Sequence, residues 1–148
     1  MTLSRSMRTL LVSLCIALSG ASEAAQPTVS DGWARATVPG QNGGAAFFSI
    51  SSDHPVQIVG VTTPVAKLAQ LHQMKMSGAT MTMRPVNALD VPAGTKISLS
   101  PSGTHVMLFD LAGPLVVGQH FSLTLSLREP DGKIIAEPVD ISVRPLGQ

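Results

Sequence analysis

Apolar residues in this chain recur mostly at every second position, and the runs they form are short. The sharpest run is Phe121-Ser122-Leu123-Thr124-Leu125-Ser126-Leu127, with odd positions apolar and even positions hydroxylic. A period of two sends alternate side chains to opposite faces of a strand, one toward a core and one toward water. Runs with strand character occupy 29–38, 45–51, 56–62, 68–73, 80–86, 96–99, 105–108, 121–128 and 133–143. Turn signals separate them: Pro39-Gly40, Asn42-Gly43-Gly44, Asp53-His54-Pro55, Pro92-Ala93-Gly94, Pro101-Ser102-Gly103, Gly113-Pro114 and Pro130-Asp131-Gly132. Residues 129–133 are expected to fold the chain back as a hairpin. Only 63–70 has room for a helical turn, and Pro64 shortens it. Many short strands at this spacing predict one all-β domain, a sandwich or a small barrel.

The first two dozen residues break that pattern. Arg5 and Arg8 precede an apolar run over 10–18, too short to cross a bilayer, and small residues follow from Ser19 to Ala25. This is the layout of a secretory signal peptide, so 1–24 is expected to be removed and 25–148 to be the mature domain. Cleavage after Ala21 or Ala25 fits almost as well as after Ala24. Cys15 could suggest a lipidated N-terminus, but the bulky Leu14 stands where a small residue is expected. The mature chain would then be exported to the periplasm, with no transmembrane run and no cysteine. Disulfides, thiolate nucleophiles and thiolate metal sites are excluded from it.

Charge and composition narrow the function. Charged residues are 13% of the chain, against roughly 25% in typical proteins. Once Arg5, Arg8 and Glu23 are gone, eight residues of each sign remain. No basic field is available for nucleic acid, and with aromatics at 3% and no tyrosine, stacking platforms are scarce. The carboxylates lie scattered in turns, and there is no G-x-S-x-G, H-E-x-x-H or phosphate-binding glycine loop. The chain is therefore expected not to be an enzyme.

Methionine carries the remaining signal. Beyond Met1 and Met7, all methionines fall between 74 and 107: Met74, Met76, Met81, Met83 and Met107. His72 and His105 border or enter that window, whereas His54 and His120 read as solvated turn and strand-end residues. His105 and Met107 share one strand face, as do Met81 and Met83, while Val106 and Leu108 point into the core. Soft neutral thioethers with borderline imidazoles suit Cu(I), and suit zinc poorly or calcium not at all. Met81 is expected in the core or as a wall, Met74 and Met76 in an exposed loop or as transient ligands during transfer, and Trp33 as a core anchor. Arg84 is expected on a partner surface or in an ion pair.

The spacing His72, Met83, His105, Met107 resembles that of the PCu(A)C family of periplasmic copper chaperones. The flanks resemble it too: Trp33-Ala34-Arg35-Ala36, Ala45-Ala46-Phe47-Phe48, Leu71-His72, Met81 to Val86, Pro92-Ala93-Gly94 and His105-Val106-Met107-Leu108. Gln70, Ser102 and Thr104 depart from the family's usual residues. The resemblance implies a cupredoxin-like or immunoglobulin-like β-sandwich holding one Cu(I) through His72, Met83, His105 and Met107. It implies delivery of copper toward the dinuclear copper centre of cytochrome c oxidase, with the copper-bearing subunit or a thiol-based assembly factor as partner. No second copper site on a His/Met-rich tail is expected. Copper storage or tolerance, and a metal-free secreted protein-binding module, are the alternatives.

Overall fold

The computed structural model describes residues 25–147. Among them are ten strands and no helix: β1 (Thr28–Arg35), β2 (Gly43–Ser51), β3 (Val56–Thr62), β4 (Ala66–Ser77), β5 (Thr80–Pro85), β6 (Leu89–Val91), β7 (Ile97–Ser98), β8 (Thr104–Leu111), β9 (His120–Arg128) and β10 (Ile134–Arg144). They form one continuous ladder in the order β5-β4-β8-β2-β1-β10-β9-β3-β6, with β7 on β2. The sheet is an open β-sandwich, so the expected fold class stands. Inward residues of β2, β4 and β8 meet those of β3, β9 and β10 in one core. Leu123, Leu125 and Leu127 are buried completely, as the alternation in β9 requires. The β9–β10 hairpin closes through Glu129 and Gly132, the latter with φ 86°.

Two local expectations fail. The stretch 63–70 holds no helical turn: β4 begins at Ala66 because its backbone pairs with β8, from Ala66↔Leu111 to Gln73↔Thr104. Beyond Gln73, β4 does not become a loop. It continues to Ser77 by pairing with β5 around a two-residue turn in which Gly78 has φ 65°. Met74 and Met76 are therefore strand residues. The short strand β6 carried too few residues to show a period.

A bulge in β1 decides what faces the site. Val29 opposes Ile50 and Ser30 opposes Ser49, yet further on Trp33 opposes Phe47 and Ala34 opposes Ala46. One extra residue on β1 reverses its faces. Asp31 takes φ 55° there. Gly32 has no room for a Cβ, which would run into the carbonyl oxygen of Asp140. Downstream of the bulge Ala34 is in the core, and Trp33 and Arg35 lie on the outer face. Trp33 is thus not a core anchor.

Candidate metal centre

The outer face of β1, β2, β8, β4 and β5 carries the candidate residues in two rows. Strand β8 turns Val106 and Leu108 inward and leaves His105, Met107 and Phe109 on the other side. In β4, Ala69 and Leu71 go inward and Gln70, His72 and Met74 outward. Register then aligns His72 with His105 on one side and Pro85 on the other, and Gln70 with Met107. Ala45 lies opposite Met107 on the far side of β8.

The first row is aromatic. Trp33 stacks on Phe47 at 4.4 Å between ring centroids, Phe47 lies 6.2 Å from His105, and His105 lies 6.2 Å from His72. Phe109 covers His72 from the other side at 5.7 Å. Phe47 is only 1% exposed although it faces away from the core. Its cover is the Trp33 and His105 rings, and the Arg144 guanidinium sits 5.2 Å above Trp33. The two imidazoles are thereby held in a shielded strip of an otherwise open face.

Their hydrogen bonding is unequal. His105 Nδ1 lies 3.2 Å from the Gly103 carbonyl oxygen, a bond in which the ring N–H donates and Nε2 keeps its lone pair. Neither ring nitrogen of His72 has a partner, and both are inaccessible to water. Burial, and secondarily the neighbouring His105, push the His72 pKa below the ordinary 6.5. A buried donor and acceptor left without partners carry a desolvation cost, and a bound ion would relieve it at the nitrogen that carries the lone pair.

The methionines reach this strip from two sides. Met83 and Met74, directly opposite each other across the β4–β5 hairpin, line a hollow of about 230 Å³ with His105, Phe47, Arg35, Ala45 and Pro101. Met107 lines the adjoining hollow, and Arg35 and Ala45 are common to both. The structure thus sets His72 beside His105, Met83 in a hollow with His105, and Met107 two residues along β8 on the same face. Met81 is neither core nor wall: it is exposed toward the hairpin tip. Arg84 forms no ion pair among the described residues. His120 is solvated and bonds Asp140 at 2.9 Å, but His54 is half-buried, 3.6 Å from Glu129.

Phe47 and Arg35 carry no site signal in the sequence, while Met74, expected in an exposed loop or as a transient ligand, lines the hollow from strand β4. Met74 and Met83 are symmetric about the Gly78 turn, and that was the one signal available. Among the described residues no group of three or more His, Cys, Asp or Glu side chains could hold a metal. An ion here would need thioether ligands, which selects soft metals.

Known proteins share both the sequence and this architecture. The family model described as "Putative lipoprotein LpqE-like" matches residues 27–141. A relative from Leifsonia xyli subsp. xyli, "Putative lipoprotein Lxx21020", is 30% identical over 112 residues, 75% of this chain and 68% of its own. The solution structure of CuI-DR1885 from Deinococcus radiodurans is 30% identical, with 89% of this chain and 87% of that chain covered and a TM-score of 0.58. The copper-bound PCuAC domain from PmoF2 shares the fold at 22% identity, with a TM-score of 0.64 over 82% of this chain and 95% of that one. With most of its described length matched, the chain belongs to the LpqE-like family, of PCuAC type.

Proposed function

We propose that this protein is an exported, non-catalytic copper(I) chaperone that binds one ion through His72, His105, Met83 and Met107. The carrying observation is the cross-strand pair His72 and His105, in which His72 is buried with both ring nitrogens unpartnered beside a methionine-lined hollow. All four groups are neutral when they bind, so a monovalent ion is favoured over a divalent one. The His105 tautomer is fixed by Gly103, which orients Nε2 as a ligand. Support comes from the Cu(I)-bound relative of Deinococcus radiodurans, 30% identical over most of the chain.

The mechanism is ligand exchange. The imidazole strip is shielded but Met83 is 47% exposed, so a partner's ligand can displace one thioether while the histidines still hold the ion. The recipient in this reading is the dinuclear copper centre of cytochrome c oxidase, reached directly or through a thiol-based assembly factor. Export through a signal peptide over 1–24, leaving 25–148 in the periplasm, belongs to the same proposal. Residues 1–24 lie outside those the structure describes.

Competition titration of the mature protein with a Cu(I) chelator tests the site. His105→Ala and Met107→Ala should each weaken binding by about tenfold or more, since even groups that only orient metal ligands cost that much when removed. Unchanged affinity in both variants would refute the assignment. A deletion strain that keeps oxidase activity at low copper but loses copper tolerance would move the role from delivery to storage.

A further inference from the structure

We propose that Met76 and Met81 form a second, outer Cu(I) site through which the ion enters and leaves the site at His72 and His105. This rests on the copper reading above. The observation is the register of the β4–β5 hairpin. Met76 lies opposite Met81, Met74 opposite Met83, and His72 opposite Pro85. Alternation puts all of these on one face, the face His72 shares with His105. Two thioether pairs therefore lead in single file from the hairpin tip to the imidazoles.

The spacing suits stepwise transfer. Directly opposed residues have Cβ atoms about 4.5–5.5 Å apart, within reach of two flexible Met side chains converging on one ion. Successive pairs on the same face are about 7 Å apart along the strand. At each step one copper–ligand bond forms, to a thioether sulfur or, at the last step, to an imidazole nitrogen, as another breaks. Copper stays Cu(I), and no proton or electron moves.

Packing does not call for methionine at the tip. Beyond Gln73, β4 has no register with β8; apart from the Met74 N–H donated to the Gly103 carbonyl, it pairs with β5. Met76 and Met81 are 57% and 54% exposed. The other face of the same arm is polar, with Gln73 opposite Arg84 and Lys75 opposite Thr82. An arm with one polar face and one thioether face, and no core beneath, places soft neutral ligands in solvent where only an incoming ion or partner meets them.

The test uses mature protein carrying 13C-methyl methionine, titrated with Cu(I). The first equivalent should shift Met83 and Met107, and the second should shift Met76 and Met81. The variant carrying Met76→Leu and Met81→Leu keeps volume and apolarity. It should retain the tight affinity, lose the second event, and load from a Cu(I) chelate about an order of magnitude more slowly, as expected when a local reservoir of ligand-held ion is removed. Silent Met76 and Met81 resonances, or unchanged loading by the variant, would overturn the proposal. If Met76 and Met81 respond while Met83 and Met107 do not, copper binds at the tip without passing inward: the chaperone reading of the inner site fails, and the transfer route falls with it.

Discussion

His72 and His105 are neighbours with different obligations. The ring of His105 is committed to Gly103, whereas His72 sits between His105 and Phe109 with no polar partner. Burial keeps His72 neutral below the ordinary imidazole range. The unfolded chain takes up a proton near pH 6.5, and the folded chain resists it. The unfolded state therefore binds more protons as pH falls below 6.5, and metal-free stability should decline from there down to the lower folded pKa, with no loss from this group above 6.5. Thermal midpoints of the apo protein between pH 7.5 and 5 (conditions that bracket the reference value) should fall on acidification. The slope should flatten in His72→Gln. The identities of both histidines were legible in the sequence. The orphaned state of one was not, because it depends on which rings close over it from other strands.

At the level of elements, the bulge in β1 controls the outer face. Without the extra residue at Asp31 and Gly32, Trp33 and Arg35 would point into the core and Phe47 would lose its cover. Gly32→Ala should therefore destabilise the protein by about 1–3 kcal/mol, the usual cost of forcing an extra carbon into packed structure. Chemical denaturation measures the loss, and quenching of Trp33 fluorescence should change with it. The alternation of β9 and the turn at 129–133 were readable because local pattern and tertiary role agree there. Strand β4 was read short at both ends. Its ladder partners, β8 and β5, come from later in the chain and override the weak local signal of Pro64 and Lys75. Trp33 was expected in the core because a large aromatic usually anchors one, and the residue pattern does not announce the bulge that turns it outward.

For the whole molecule, the outer face joins five strands into one surface, so a metal bound there bridges segments that are distant in sequence and only the folded state can hold it. Cu(I) should raise the unfolding midpoint, with about 2.7 kcal/mol of added stability at a free concentration a hundred times Kd. The double variant His72→Ala, His105→Ala should show no such shift in a scanning calorimeter. Residue type and short-range period alone carry the all-β class, the core alternation, the absence of a cysteine after residue 15, and the confinement of two histidines and every methionine after Met7 to one stretch. Only the tertiary structure decided that His72 meets His105, that Met83 and Met107 open onto adjoining hollows, and that Trp33, Phe47 and Arg35 belong to the same face. Strand register and the β1 bulge set those relations, and both arise from pairing between segments that share no local sequence signal.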